Sequence, residues 1–414
     1  MRPSFHFTAE RGWINDPHGI TARDGEYHAF FQYVPESTVW APNCHWGHAK
    51  GADLFSLSEL PIAIAPGEGD DGIWTGSLVT DDADRTRIFY TATTQPDIGI
   101  GRIRVATPED EDWIAWSKGA VVAEAPAGLD IIAYRDPFVV KEPDGWRMFL
   151  GAGLRDGTAT ALSYRSPDLD EWEYEGIALQ RSTHDVDPVW MGALWECPQI
   201  IDVDGRHVMV SSVWDDDVLH YAGYAVGRYA DGVFTAESWG RLTYGPSYYA
   251  PSFFRDAEGR PCLTFWMRGI ADVEAGWASA HSIPHVLTLD GDTLIATPHP
   301  DLDSYRASIT EDGRLPGLAG DLHWSPAESD ELQISSGGEP VASLRVADGE
   351  LAVHVGGHEW SMPAGGVIRI VLDGPVLAVC SAAGVLGAAI APAGDHFVVE
   401  SGGGPLETHE LTRR

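Results

Sequence analysis

A strand-turn-strand unit that recurs along residues 1–295 is the feature that most constrains how this chain can fold. Each unit has a proline, a few apolar residues, a tight turn ending in glycine, and a second apolar segment. The units are Pro17 with Gly25, Pro137 with Gly145, Pro198 with Gly205 and Pro251 with Gly259, the paired residues being 8, 8, 7 and 8 positions apart. Apolar segments joined in this way are typical of antiparallel β-hairpins.

The spacing of these units indicates how they are arranged. Successive prolines lie 120, 61 and 53 residues apart, and the stretch from Trp74 to Thr94 supplies a further unit, without the proline, in the first interval. Five units with a period of roughly 50–60 residues are typical of the blades of a β-propeller. We therefore predict an all-β fold with a five-bladed β-propeller over residues 1–295. A β-sandwich, which also has short strands at regular spacing, is the alternative.

The pattern changes after the Pro298-His299-Pro300 segment. Tryptophan becomes scarce, and short apolar runs such as Val367–Leu372 and Val376–Val379 indicate further strands. No cluster of acidic or aromatic residues there has the appearance of a catalytic site. We predict that residues 296–414 form a small C-terminal β-sandwich.

The charge balance excludes several classes of partner. The chain has 27 Lys and Arg against 62 Asp and Glu, a formal net charge of -35, which repels nucleic acids and anionic lipid surfaces. No apolar run approaches the roughly 20 residues of a membrane-spanning helix, and the first twelve residues lack the pattern of an export signal. We expect a cytoplasmic protein that binds neither nucleic acid nor membrane, and the sequence does not indicate its oligomeric state.

The sequence does not indicate a metal or a cofactor. The four cysteines are far apart, which favours neither a disulfide framework nor a metal-binding Cys-x-x-Cys motif. Cys44, His45 and His48 form one short group of possible ligands, but a structural zinc site needs four. We expect these three residues to pack within an aromatic-rich turn.

The repeat places acidic residues at equivalent positions. Asp16 precedes Pro17, Asp136 precedes Pro137, and Glu196 lies two residues before Pro198. Because equivalent positions of radially arranged blades converge on one axis, these three acids should share a pocket. Crowded carboxylates raise one another's pKa, an arrangement found mainly where one acid stays protonated while another is charged.

This set of residues favours cleavage of a glycosidic bond. Glycoside hydrolysis uses two carboxyl groups, one that attacks the anomeric carbon or activates water and one that protonates the leaving oxygen. The 16 tryptophans can stack on the apolar faces of sugar rings. Of those near the acids we assign Trp40, Trp74 and Trp277 to the site. The residues alone do not distinguish the role of Asp16 from that of Asp136.

Eight short motifs resemble, in order, those of glycoside hydrolase family 32, the β-fructofuranosidases (invertases), inulinases and levanases. The three that carry the acids are WINDPHG (13–19), YRDP (134–137) and WECP (195–198). The other five are YHAFFQYVP (27–35), WGHA (46–49), WTGS (74–77), YYAP (248–251) and GWASAHSIP (276–284). The fold of this family, a five-bladed propeller followed by a β-sandwich, agrees with the one predicted from the repeat.

The resemblance implies a role for each acid: Asp16 as nucleophile, Glu196 as general acid/base and Asp136 as stabiliser of the transition state. It further implies a retaining mechanism, with the carboxyl groups of Asp16 and Glu196 about 5–5.5 Å apart. We expect the Asp charges to raise the pKa of Glu196. The family resemblance also implies a set of residues around the fructosyl group: Asn15, Gln32, Trp40, Trp74, Thr75, Arg135, Tyr249 and Trp277.

The chain departs from the family pattern at Ile14, His18, Trp74-Thr75 and Ser247 without losing an acid, which leaves open the preferred substrate among sucrose, fructo-oligosaccharides, inulin and levan. We predict a β-fructofuranosidase that releases fructose from sucrose or short fructo-oligosaccharides. The alternatives are a fructosyltransferase that uses the same site and a noncatalytic sugar-binding propeller. The motifs argue against a related five-bladed arabinosidase or xylosidase.

Overall fold

The computed structural model describes residues 1–309 and 313–413 and confirms the predicted all-β fold, a five-bladed β-propeller followed by a β-sandwich. Three blades come first, each with four antiparallel strands; blades II and III are separate sheets, whereas the strands of blade I share one sheet with those of blade V. Blade I contains β1 (Gly12–Arg23), β2 (Glu26–Val34), β3 (His45–Gly51) and β4 (Ser58–Ile64). Blade II contains β5 (Gly72–Thr80), β6 (Thr86–Thr93), β7 (Arg102–Pro108) and β8 (Trp116–Ala123). Blade III contains β9 (Ile131–Glu142), β10 (Gly145–Leu154), β11 (Thr158–Ser166) and β12 (Glu173–Ser182).

Two more blades complete the ring. Blade IV contains β13 (Leu194–Val203), β14 (Arg206–Asp215), β15 (Val218–Ala230) and β16 (Val233–Arg241), and the short β17 (Thr243–Tyr244) follows it. Blade V contains β18 (Tyr248–Arg255), β19 (Pro261–Asp272), β20 (Trp277–His281), β21 (His285–Asp290) and β22 (Thr293–Pro298). The first strands of neighbouring blades contact one another around the axis. Because residue 295 lies inside β22, we propose Pro298 as the end of the propeller.

The turns follow from local sequence. Asp24-Gly25, Asp204-Gly205 and Asp231-Gly232 each link two antiparallel strands, and all six residues have positive φ. Asp-Gly favours this conformation, which matches the twist of the flanking strands. The Gly residues at the ends of the repeat units therefore mark hairpin turns, as predicted.

A β-bulge recurs in the first strand of every blade. Strands β1, β5, β9, β13 and β18 each have one residue more than their partner strand between two consecutive register pairs. A bulge leaves the extra residue unpaired and turns a neighbouring side chain out of the regular alternation. The bulges lie where the sequence has Asn15-Asp16, Thr75, Asp136-Pro137, Cys197-Pro198 and Ala250-Pro251.

The ring is closed by pairing between its first and last blades. Strand β20 lies antiparallel to β19 of blade V and parallel to β1 of blade I. The amide of Gly12 donates a 2.8 Å hydrogen bond to the carbonyl of Gly276. The strand that carries Asp16 therefore begins at the closure of the ring.

The C-terminal β-sandwich has two sheets, preceded by a 3-10 helix, η1 (Pro300–Tyr305). Its first six strands are β23 (Arg306–Ile309), β24 (Arg314–Leu315), β25 (Ala319–Trp324), β26 (Glu331–Ser336), β27 (Glu339–Ala347) and β28 (Glu350–Val355). The other six are β29 (His358–Pro363), β30 (Ile368–Asp373), β31 (Val376–Ser381), β32 (Gly384–Ala389), β33 (Phe397–Ser401) and β34 (Leu406–Leu411). One sheet has the order β17-β32-β31-β30-β25-β34-β23 and the other has the order β24-β33-β26-β27-β28-β29. Strand β17, which follows blade IV, is thus an edge strand of the sandwich.

The N-terminal segment is also fixed to the sandwich. Buried Asp373 at the end of β30 accepts hydrogen bonds from the amides of Ser4, Phe5 and His6 at 2.6–3.0 Å, and from the His6 ring at 2.9 Å. One apolar core runs from blades IV and V into β30, β31 and β32. Within the described residues, no helix is long and apolar enough to cross a membrane.

Candidate active site

A cavity of about 650 Å³ opens at one end of the propeller axis. The carboxyl groups of Asp16, Asp136 and Glu196, from blades I, III and IV, all line it. The other polar lining residues are Asn15, Gln32, Arg135, Asp217 and Tyr249, and the aromatic ones are Trp13, Trp40, Trp74, Trp214 and Trp266. The five bulges explain how residues 180 positions apart reach one cavity, because each lies at the same level of its blade.

Asp16 is held by hydrogen-bond donors from its own blade and the next one. Thr75 Oγ1 donates to its Oδ2 at 2.6 Å, Gln32 Nε2 donates to the same oxygen at 3.2 Å, and Asn15 Nδ2 donates to Oδ1 at 3.0 Å. Burial raises the pKa of Asp16, and the hydrogen bonds from Thr75 and Asn15 oppose this rise. Both oxygens therefore have fixed donors that favour the charged form.

Asp136 adopts a left-handed backbone conformation, with φ of 61°. Its amide donates to Thr91 Oγ1 at 2.8 Å, and its Oδ2 accepts from the amide of Cys197 at 3.0 Å. Burial raises the pKa of Asp136 to about 8; Arg135 opposes this rise, and the charges of Glu196 and Asp16 add to it. At neutral pH this carboxyl can therefore carry a proton and donate a hydrogen bond.

Glu196 lies between a cation and a phenol. Arg135 Nη1 donates to its Oε1 at 3.0 Å, and Tyr249 OH donates to its Oε2 at 2.7 Å. The pKa of Glu196 is raised, chiefly by burial; Arg135 and Tyr249 lower it, and the Asp16 charge raises it. The charge of Asp16 thus raises the pKa of Glu196 as expected, but desolvation of the buried carboxyl has the larger effect.

The thiol of Cys197 connects two of the acids. Its Sγ lies 3.8 Å from Asp16 Oδ2 and 3.7 Å from Asp136 Oδ2. Burial and the three neighbouring carboxylates raise the pKa of the thiol well above its usual value. Cys197 therefore stays neutral and acts as a weak donor between the two aspartates.

Aromatic side chains form the walls. The rings of Trp40 and Trp74 meet edge to face at 5.7 Å between centroids, as do those of Trp13 and Trp266. Trp74 Nε1 donates to the carbonyl of Pro42 at 2.9 Å, which fixes the plane of its ring. A sugar ring can contact these walls through its apolar faces.

The structure brings together most of the predicted site residues, with two differences. Thr75 lies behind Asp16 and contacts the site through hydrogen bonds. Its Oγ1 donates to Asp16 and accepts a hydrogen bond from Gln32 Nε2 at 2.5 Å. Trp277 does not line the cavity, and its assignment to the site is corrected. It is 1% exposed at the start of β20, with the Arg2 guanidinium 5.0 Å from its ring centroid.

Sequence reasoning did not assign Trp13, Trp214, Asp217 or Trp266 to the site, although all four line the cavity. Strand register offers a signal for two of them, because Trp266 pairs with Tyr249 and Trp214 pairs with Leu194. A residue opposite a site residue in the second strand of a blade is thus a candidate for the same cavity.

Cys44, His45 and His48, which were expected to pack within an aromatic-rich turn, lie at a strand instead: Cys44 precedes β3, and the two histidines are part of it. Cys44 Sγ donates to the Ala41 carbonyl at 3.2 Å, and His48 Nε2 lies 2.9 Å from His28 Nδ1. In the described part of the chain, Asp256, Cys262 and His299 lie within metal-ligand distance of one another. The guanidinium of Arg260 bonds to Asp256 and lies 3.4 Å from His299 Nε2. This cluster is therefore an ion-pair network in which a cation is already supplied by the chain.

Comparisons with known proteins agree with this geometry. The chain is 32% identical over 329 residues to the sucrose-6-phosphate hydrolase of Zymomonas mobilis, a match that covers 74% of this chain and 63% of that protein. It is 31% identical over 324 residues to the sucrose-6-phosphate hydrolase of Bacillus subtilis, covering 74% and 66%. The chain thus spans slightly less than two thirds of these relatives.

Solved structures show the same fold. A β-fructofuranosidase of Bombyx mori in complex with sucrose superposes with a TM-score of 0.86 at 24% identity, covering 100% of this chain and 94% of the other. A fructan 1-exohydrolase of Cichorium intybus in complex with 1-kestose gives 0.82 at 20% identity, covering 100% and 98%. The model of the family described as Glycosyl hydrolases family 32 N-terminal domain matches residues 6–298. The chain, with its three acids on one propeller axis, therefore belongs to glycoside hydrolase family 32.

Proposed function

We propose that this protein is a retaining β-fructofuranosidase that releases fructose from sucrose or short fructo-oligosaccharides. The observation that carries the proposal is the meeting of Asp16, Asp136 and Glu196 in one aromatic-walled cavity. Its relatives include proteins named as sucrose-6-phosphate hydrolases, a fructan 6-exohydrolase and a β-fructofuranosidase. Complexes with sucrose and 1-kestose are among the structures that share its fold.

In the first step, an oxygen of the Asp16 carboxylate attacks the anomeric carbon of the fructosyl group. The bond from this carbon to the leaving oxygen breaks, and Glu196 donates its proton to that oxygen. Fixed donors on both oxygens of Asp16 favour the charged nucleophile, and burial raises the pKa of Glu196, which favours its protonated form. A protonated Asp136 donates a hydrogen bond to a fructosyl hydroxyl, a role supported by its raised pKa.

In the second step, Glu196 acts as the base. It removes a proton from water as the water oxygen attacks the anomeric carbon, and the bond to Asp16 breaks to free the carboxylate. Arg135 and Tyr249, which bond to the two oxygens of Glu196, stabilise its charged form at this stage. Fructose leaves and the starting protonation states are restored.

The test compares the purified wild-type protein with Asp16→Asn and Glu196→Gln on sucrose, 1-kestose, inulin and levan. We expect the wild type to release fructose, mainly from sucrose and 1-kestose, and each variant to lose activity by roughly 10³-fold or more. Circular dichroism should show that both variants are folded. Transfer to sugar acceptors would appear as new oligosaccharides at high sucrose, whereas we expect free fructose. A folded variant of Asp16 with wild-type activity would contradict the proposal.

A further inference from the structure

The cavity is lined by polar side chains at its floor and mainly by apolar side chains at its mouth. The floor contains the three acids with buried Asn15 and Gln32. Toward solvent, the lining becomes apolar, with Trp40 40% exposed and Ile132 37% exposed. The mouth is completed by Ile98, Trp214, Leu219 and Asp217. Since the fructosyl group must reach the acids on the floor, the leaving sugar lies in this mouth.

Within the part of the chain that the structure describes, the mouth offers no positive charge to a ligand. Among the described residues that line the cavity, Arg135 is the one Lys or Arg, and it is bonded to Glu196 on the floor. Its guanidinium also lies 5.2 Å from the centre of the Trp74 ring. Arg268, behind the mouth, donates to the backbone carbonyls of Leu219 at 2.7 Å and His220 at 3.3 Å. Both guanidinium groups thus bond to other groups of the protein rather than to a ligand in the mouth.

Asp217 supplies a negative charge instead. It lies with Asp216 in the two-residue turn between β14 and β15, where both residues have positive φ. Its side chain is exposed, and within residues 1–309 and 313–413 it makes no hydrogen bond or ion pair. A free carboxylate at this position can accept hydrogen bonds from sugar hydroxyls.

We propose that Asp217 is a specificity-determining residue that selects β-fructosides with an uncharged leaving sugar and rejects those with a phosphate on it. This inference rests on the proposed function. A phosphate monoester carries a charge of about -1.5 to -2 near neutral pH and offers acceptors, where the carboxylate requires donors. Like charges without an intervening cation discriminate against a ligand even when the rest of it fits. The chain thus differs in substrate from the relatives named as sucrose-6-phosphate hydrolases.

The experiment measures kcat/KM for sucrose and for sucrose 6-phosphate, which carries its phosphate on the glucosyl unit. We expect the wild type to favour sucrose by at least tenfold. Asp217→Lys should reduce this ratio at least tenfold, mainly through a lower KM for the phosphorylated sugar. Asp216→Lys is the matched control: it makes the same change of charge, at the neighbouring position of the same turn, in a residue that does not line the cavity. The control should change the ratio by less than threefold.

Two outcomes would overturn the inference while leaving the proposed function intact. One is a wild-type protein that cleaves sucrose 6-phosphate at least as well as sucrose. The other is an equal effect of Asp216→Lys and Asp217→Lys, since general surface charge would then set the preference. If the wild type cleaves neither sugar, nor 1-kestose, inulin or levan, the proposed function itself fails, and the inference falls with it.

Discussion

Asp136 shows how the site uses a residue that is unfavourable for folding. It is 4% exposed, has a left-handed backbone conformation, and lies near two other carboxyl groups. Burial chiefly raises its pKa, to about 8, so ionisation at neutral or alkaline pH opposes the folded state. Such groups are retained where chemistry needs them, at a loss of stability.

We predict that Asp136→Asn loses activity but stabilises the protein. Because the folded-state pKa is raised, the wild-type Asp136 opposes folding increasingly as pH rises from the usual value of 3.8 to about 8. Asn cannot ionise and also tolerates a positive φ. The melting temperature of the variant should exceed that of the wild type by about 3 °C or more at pH 8, and by less at pH 4.5.

The matched control for this prediction is Asp24→Asn. Asp24 also has a positive φ, of 51°, but its side chain is 84% exposed. The control should shift the melting temperature by less than about 1 °C at both pH values. A variant Asp136→Asn that melts below the wild type at pH 8 would contradict the argument.

At the scale of elements, the sequence predicted the blades well and the bulges not at all. Pro17 and Gly25 mark a strand and its turn because proline restricts φ, whereas glycine readily adopts the positive φ that the turn requires. A bulge depends on the pairing of two strands, and no residue type in β5 indicates the bulge at Thr75. Trp277 was assigned wrongly for a related reason: its position near the site motifs in sequence does not reveal which side of β20 faces the cavity.

We predict that closure of the ring is sensitive to Gly12. This residue has φ of +79°, and a Cβ atom on it would lie 2.5 Å from the carbonyl oxygen of Val34. Gly12→Ala should therefore lower the free energy of unfolding by about 3 kcal/mol or more, from both the backbone strain and the overlap. Urea unfolding measures this change.

Gly276→Ala is the control for Gly12→Ala. Gly276 accepts the hydrogen bond of Gly12 and has a similar φ of +82°, but no atom lies within 4 Å of its added Cβ. Gly276→Ala should therefore lower the free energy of unfolding by only about 1–2 kcal/mol, which is the cost to alanine of the left-handed conformation. Equal losses in the two variants would show that crowding at the closure has no effect.

At the scale of the whole molecule, the propeller and the sandwich are joined by buried polar contacts as well as by an apolar core. The sequence predicted both parts from the change of pattern near Pro298, but it did not indicate these contacts. Ser4 and Asp373 are 369 residues apart, and no local pattern relates them. Nor does any local pattern place Asp217 in the cavity with the acids, because its position there depends on the fold of blade IV.

We predict that Asp373→Ala destabilises the protein by about 3 kcal/mol or more. The substitution removes the acceptor of three backbone amides and of the His6 ring, and it leaves buried donors without partners. Asp395→Ala, at a sandwich side chain that is 98% exposed, should change the free energy of unfolding by less than about 0.5 kcal/mol. Urea denaturation of both variants tests this; a loss below 1 kcal/mol for Asp373→Ala would refute it.

The pairing of β17 with β32 limits how this chain can be recombined. Thr243 and Tyr244, which lie between blades IV and V in sequence, form the edge strand of one sheet of the sandwich. A fragment that starts after Pro298 would therefore leave Val385 and Leu386 in an unpaired edge strand. Unpaired edge strands promote aggregation. A chimera that grafts this sandwich onto another propeller must therefore carry Thr243 and Tyr244, or their equivalent, with it.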